Sequence, residues 1–319
     1  MNPTYKIGSL FILIVVIAIS SLMLGAVDLS LAQVWQGLFV GSESYFTIHE
    51  YRLPRLILAI VVGASLAGAG TLVQGVVRNP LASPDILGIS HGAGLAAVLW
   101  MVFVPGLSVF WLPLIALIGG LFSAILLLML CRKMTQPIRL ALSGVALSAF
   151  FGCAIDFVLL TQPMEVNNAL LWLTGSLWGR TWSQLWMLTP WLILVPFALW
   201  RCHALNLLVL GEEKANTLGI KVNRTRLSVL CIAIGWTSAC VAVVGPLSFL
   251  GLVSPHLARQ IIGGRHQRLL PVSMLVGALL LLVADLCARI IHPPLELPAG
   301  ILTAMLGAPY FLYLLVRLK

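Results

Sequence analysis

The chain has 319 residues, of which 60% are hydrophobic and only 9% are Asp, Glu, Lys or Arg. A typical soluble protein carries roughly 25% charged residues, so a water-facing surface cannot be built here and a soluble enzyme is excluded. The net charge of +9 would point to nucleic acid only if the cations clustered on one face, and their placement along the chain gives them another role.

A helix needs about 20 apolar residues to cross about 30 Å of hydrocarbon. Hydropathy places the first span at Ile7–Ala26. It is longer than the apolar region of a signal peptide, with no A-x-A site after it, so it is expected to stay as an anchor. Val27–Tyr51 is mixed, with Leu31–Leu38 expected as a short interfacial helix. Further spans are expected at Leu53–Val77, Ile89–Val104, Trp111–Cys131 and Leu140–Leu160. A polar stretch, Thr161–Ser183, precedes spans at Gln184–Trp200, Leu227–Val244, Leu247–Ile262, Pro271–Ile290 and Leu297–Val316. The third and eighth are short and interrupted by Gly or Pro. The expectation is an all-α membrane protein of about ten transmembrane helices, with residues 1–319 as one polytopic domain.

Basic residues mark the cytoplasmic side of a membrane protein. With both termini cytoplasmic, only Arg52, Arg55, Arg180 and Arg289 of the 19 Lys and Arg face outward. An odd number of spans would destroy this alternation. The positive charge is therefore topological, and no nucleic-acid partner is expected.

Glycine and alanine crowd several spans, as in Gly63–Gly70 (GASLAGAG), and in lipid such residues mark close helix packing. Gly88 with Gly92, and Gly175 with Gly179, have GxxxG spacing. Asn79–Ala82 (NPLA) echoes Leu297–Gly300 (LPAG), which fits the internal duplication common in transporters. The six cysteines are scattered, with no CxxC and no Cys/His cluster, so no metal site is expected.

Neither a nucleotide-binding loop of the G-x-x-x-x-G-K-[ST] type nor H-E-x-x-H occurs. Gly88–Gly92 (GISHG) matches G-x-S-x-G, but that motif needs a strand before it. A hydrolase using Ser90 would require that context. Asp156 and Asp285 lie inside apolar runs, where carboxylates are costly and are candidates for function. Asp285 has Arg289 one turn later, the favourable order for an intrahelical pair. Asp156 has no local partner; a wet cavity, a proton-carrying role in a secondary transporter and an interhelical hydrogen bond all remain open. Arg52 and Arg55 sit at the mouth of the second span, placed either to attract something acidic or to snorkel at the interface. Leu210–Gly219 (LGEEKANTLG) reads as a short capped helix that must lean on a surface, a cytosolic partner's or the chain's own.

Several motifs in order then carry a resemblance over nearly the whole chain: Arg52–Arg55 (RLPR), Asn79–Gly88 (NPLASPDILG), Leu142–Leu147 (LSGVAL) and Trp172–Ser176 (WLTGS). Leu210–Glu213 (LGEE), Thr217–Gly219 (TLG), Phe249–His256 (FLGLVSPH), Leu297–Gly300 (LPAG) and Gly307–Pro309 (GAP) complete the set. The sequence resembles the FecCD/BtuC-type permeases, the type II permeases of bacterial ABC importers for iron–siderophore complexes, haem and vitamin B12. Asn167–Arg180 and Ala288–Pro298 are most similar to the ferric dicitrate branch.

The resemblance implies a multi-pass permease of the bacterial inner membrane, not itself an enzyme. It would pair with a second permease subunit (a paralogue or another copy), two cytosolic ATPases and a periplasmic binding protein. ATP and Mg would reside on the ATPases, leaving this chain without a cofactor or metal of its own. By the same resemblance Arg52, Arg55 and Arg289 meet the binding protein, while Leu210, Gly211, Glu212, Glu213, Thr217, Leu218 and Gly219 form the helix coupled to the ATPase. Thr135, Gln136, Pro137 and Ile138 fall in the cytoplasmic gate region, where Pro137 departs from the vitamin B12 permease pattern. Ferric dicitrate is the expected cargo, with another siderophore, haem or cobalamin as the alternative. An anionic ferric citrate complex calls for a path without exposed carboxylates, which makes the setting of Asp156 informative.

Overall fold

The computed structural model describes residues 3–25, 27–104, 109–131, 137–162, 166–293 and 295–317, and no strand occurs among them. In hydrocarbon every backbone polar group needs an internal partner, which a helix supplies within one segment. Among the described residues seven stretches are long and apolar enough to cross a membrane, and Ile89–Phe103 and Ala299–Leu314 are shorter apolar helices.

The first helix, α1 (Pro3–Met23), is apolar on nearly all sides and mostly exposed at the edge of the bundle. A six-residue helix, α2 (Leu31–Gln36), follows, opened by a capping box between Ser30 and Gln33. It ends two residues before the expected Leu38. A π-helical turn, Phe46–Arg52, leads directly into α3 (Leu53–Val77), whose Pro54 takes a first-turn position that needs no N–H partner. The short α4 (Ile89–Phe103), then α5 (Leu112–Leu130) and α6 (Pro137–Thr161), complete the first half.

The polar stretch contains one helix, α7 (Val166–Leu173). Next come α8 (Trp182–Leu188), a 3-10 turn at Thr189–Ile193 and α9 (Leu194–Leu208), the turn falling where Pro190 removes a donor. Hydropathy alone ends this span at Trp200, because Arg201 and His203 lower the local mean. The helix nonetheless runs on, since Cys202, Leu205 and Leu208 are buried on its inner face. After the six-residue α10 (Glu212–Thr217) come α11 (Val222–Val244), the short α12 (Leu250–Ile262), α13 (His266–Ile290) and α14 (Ala299–Arg317).

Helices α3, α11 and α13 form the centre, with α3 packed on both of the others. Gly63 of α3 and Gly277 of α13 face each other backbone to backbone, and Gly70 faces Gly251 of α12 in the same way. A Cβ at Gly63, Gly70 or Gly277 would overlap a carbonyl, and one at Gly251 would press on the Pro84 ring, so the small residues are there for close approach. The GxxxG spacings divide. Gly92 packs α4 against Ser123 of α5, whereas Gly88 lies against Gly144 and Leu147 of α6. Gly175 and Gly179 are outside any helix and have positive φ (71° and 68°), so their spacing serves a turn.

The two halves repeat a pattern. Both short helices, α4 and α12, start from a left-handed residue, Gly88 (φ 77°) and Phe249 (φ 69°), and each packs on the helix that follows it. The stretch that matches Asn79–Ala82 (NPLA) is therefore Gly245–Ser248 (GPLS), which leads into α12. Leu297–Gly300 instead leads into α14, and the expected echo is corrected accordingly. The halves run in opposite directions: Arg78 at the end of α3 and Arg226 near the start of α11 reach the same carboxylate.

Candidate functional site

At one end of the bundle, α3, α13 and the segment after α13 bring four charged groups together. Arg55 donates from Nε to Asp285 Oδ1 at 2.9 Å and Oδ2 at 3.2 Å, and a terminal nitrogen reaches Oδ1 at 2.8 Å. Its other terminal nitrogen lies 2.5 Å from Glu296 Oε2, and Tyr51 donates to the same carboxylate at 3.3 Å. The expected Asp285–Arg289 pair is present but longer, at 3.4 Å. A buried carboxylate is tolerable only when paired and hydrogen-bonded, and Arg55 is the principal partner here.

Arg52 and Arg289 do different work. Arg52 donates to the carbonyls of Leu22 (2.6 Å), Met23 (2.9 Å) and Val27. Arg289 donates to the carbonyl of Ser21 (3.0 Å) and to the Ser21 hydroxyl oxygen. The carbonyls of Ser21, Leu22 and Met23 belong to the C-terminal end of α1, where a helix leaves acceptors unpaired and carries partial negative charge, and Val27 lies beyond it. Gly25 gives the guanidinium groups room, since a Cβ there would stand 3.1 Å from Arg52. The three arginines thus converge and are turned inward, with exposures of 5% for Arg52, 2% for Arg55 and 4% for Arg289.

At the other end of α3, helix α10 rests on α9 and α11 and buries only Ala215. Its end is a Schellman motif, in which Ile220 N–H donates to Ala215 O at 2.9 Å and Gly219 N–H to Asn216 O at 2.9 Å. Gly219 holds the left-handed position (φ 83°) that the motif requires. Glu213, Lys214, Asn216, Thr217 and Leu218 face outward, and Leu210 is exposed beside Gly211. The helix therefore leans on its own chain and also offers an outer face.

Glu212 Oε1 accepts from Arg78 at 2.7 Å and from Arg226 at 2.6 Å. These contacts, the bond from Arg226 foremost, hold its carboxyl below the usual glutamate range. Arg78 is a non-glycine residue in the left-handed region (φ 55°) closing α3, a conformation costing roughly 1–2 kcal/mol, and its side chain gains the Glu212 contact. In the sequence Arg78 and Arg226 carry only a topological signal, and Glu296 carries none of its own. Contacts 134 residues apart for Arg78–Glu212 and 241 for Arg55–Glu296 leave no periodic trace.

Of the gate residues, Thr135 and Gln136 lie outside the described residues, Pro137 begins α6, and Ile138 is exposed. Asp156 is on the exposed face of α6, with neither ion pair nor hydrogen bond among the described residues. Ser90 sits in the first turn of α4, after a 3-10 turn (Pro84–Leu87) rather than a strand, and donates to Asp85 Oδ1 at 3.1 Å. That bond occupies its proton, and no imidazole is hydrogen-bonded to it among the described residues. The arrangement is not a nucleophile elbow.

These features fit a helical membrane permease. The chain belongs to the FecCD transport family, whose profile matches residues 12–317. It is 56% identical over 306 residues, 95% of each chain, to the Fe(3+) dicitrate transport system permease protein FecD of Escherichia coli. It is 48% identical to the Fe(3+)-citrate import system permease protein YfmE of Bacillus subtilis, covering 98% of this chain and 95% of that one. A solved inward-facing structure of a metal-chelate type ABC transporter superposes with a TM-score of 0.87 at 32% identity, over 99% of this chain and 100% of the other. The chain is accordingly a multi-pass membrane permease subunit of an ABC importer, with ATP hydrolysis on a separate subunit.

Proposed function

We propose that this permease moves ferric dicitrate from periplasm to cytoplasm across a bacterial inner membrane. The observation that carries the cargo is 56% identity, over 95% of both chains, to a ferric dicitrate permease, with a second ferric citrate permease at 48%. In this reading the chain crosses the membrane ten times, the three short or interrupted helices included, with both termini cytoplasmic. It assembles with a second permease subunit, a paralogue or another copy, two cytosolic ATPases that hold ATP and Mg, and a periplasmic binding protein.

Helix α10 and its flanks, Leu210–Gly219, face the ATPase, and movement entering there tips the repeats so that the path opens to one side at a time. Thr135–Ile138 form part of the cytoplasmic gate. The binding protein docks at the Arg52, Arg55 and Arg289 end. Because these guanidinium groups are buried, they act there by supporting the rim and supplying positive potential from beneath. Asp156 lies on a face covered by the second permease subunit, away from an anionic cargo. Uptake of radiolabelled iron in a strain lacking the chain, with citrate compared against hydroxamate and haem sources, tests the reading. Restoration by the chain should be confined to citrate; equal restoration with the other chelates would overturn the cargo.

A further inference from the structure

One oxygen atom links the short helix α10 to both halves of the molecule. Glu212 Oε1 takes Arg78, the residue that caps α3, at 2.7 Å and Arg226, in the second turn of α11, at 2.6 Å. Helices α3 and α11 pack against each other at the centre and head the two oppositely directed repeats. We propose that Glu212 is a positioning residue that passes movement of α10 to α3 and α11 together, acting inward through Arg78 and Arg226 rather than by touching the ATPase. The proposal rests on the permease reading above.

Three observations support it. Helix α10 has six residues and buries a single side chain, Ala215, so apolar grip on the body is small and its own helical stability is slight. The ion pairs are thus its main directional attachment. Secondly, both cations meet at the same atom, and two guanidinium groups that close together repel each other unless an anion lies between them. Removing the carboxylate would free α10 and also push the ends of α3 and α11 apart. Thirdly, the two links differ in depth. The side chain of Arg226 is 3% exposed and that of Arg78 is 29% exposed, so one link reaches the interior and the other the rim. The adjacent Glu213 is exposed and available to an outside partner.

The test uses the whole transporter in proteoliposomes, with ATPase and binding protein, and scores iron(III) citrate moved per ATP hydrolysed. The variants are E212Q, R78Q, R226Q and the doubles E212Q/R78Q and E212Q/R226Q, with E212D and R226K as conservative forms. E212Q should lower the ratio by roughly tenfold, inside the 5–150-fold range common for coupling between sites. The arginine changes should lower the ratio in the wild-type background and add nothing in the E212Q background. E212D should recover part of the loss, which a simple packing defect would not.

An unchanged ratio in E212Q, or arginine effects that add fully to it, would overturn the proposal, the latter placing Glu212 on the ATPase surface. If E212Q or R226Q fails to assemble, the E212D and R226K pair is scored by the same non-additivity. If the wild type moves no iron citrate, the proposed cargo fails. The cycle is then read on the stimulation of ATP hydrolysis by the binding protein, with the same criterion.

Discussion

Asp285 is held by Arg55 from another helix at 2.8 Å more closely than by Arg289 on its own helix at 3.4 Å. The bond therefore joins α3 to α13 rather than stiffening α13 alone. Arg289 is left to serve the end of α1, which ties a third helix into the same network.

This predicts an asymmetric mutational response. R55Q leaves the Asp285 carboxylate with only the longer Arg289 contact, and breaking a buried pair from one side costs about 3–5 kcal/mol. The double variant R55Q/D285N removes the stranded charge and should be more stable than R55Q. Thermal unfolding in detergent checks the order, and a double variant less stable than R55Q would contradict the assignment. Loss of uptake in R55Q should accordingly follow loss of folded protein, rather than loss of docking by an intact permease.

A second prediction concerns close backbone approach. Gly70→Val places a branched side chain where the Gly251 carbonyl already lies, and Gly63→Val does the same at Gly277. Overpacking costs about 1–3 kcal/mol where neighbours can move, and here the obstacle is backbone. Both variants should lose yield and melting temperature. Gly179→Ala, with open space around it, should lose less, its cost confined to the positive φ.

Glu212 supplies a pH dependence. Its folded-state carboxyl is held below the ordinary value, with the Arg226 bond the leading cause. Its contribution to stability is then fully present above the ordinary glutamate value of about 4.3 and is lost as pH falls through the lower folded value. E212Q should be less stable than wild type at neutral pH, and the difference should shrink under acid. Melting curves of both proteins across that range check this, and a gap that widens under acid would refute it.

Ser90 and Asp156 provide a contrast in transport. Ser90→Ala removes the donor to Asp85 and should cost about 1.5–3 kcal/mol, the usual scale for a hydrogen bond to a charged group, without abolishing ATP-driven uptake. Asp156→Asn should preserve uptake that needs ATP and ignores a collapsed proton gradient. Vesicle uptake with ATP, and with an imposed gradient alone, separates these outcomes. Uptake driven by the gradient and lost in D156N would restore the proton-coupled alternative.

Much of the fold was legible because its signals are local. Hydropathy marks the segments, and Gly211 and Gly219 bracket α10. Where the local signal is mixed it misleads: Arg201 and His203 suggest an end at Trp200, yet the helix continues to Leu208, because its buried face is recognised only by what packs on it. The site was read less well. Arg52, Arg55 and Arg289 lie together in the fold, but their inward aim depends on where α1 ends, which sequence spacing does not express.

The amino-acid order alone was enough to require a lipid-dissolved helical bundle, because too few charges exist to face water and every apolar stretch must satisfy its backbone internally. Folding decided which partner each scarce charge would take: Arg55 for Asp285, the end of α1 for Arg52 and Arg289, and Glu212 for both Arg78 and Arg226. Those choices join residues far apart along the chain, and in a low-dielectric interior they are set by the position of whole helices, which no short stretch of sequence specifies.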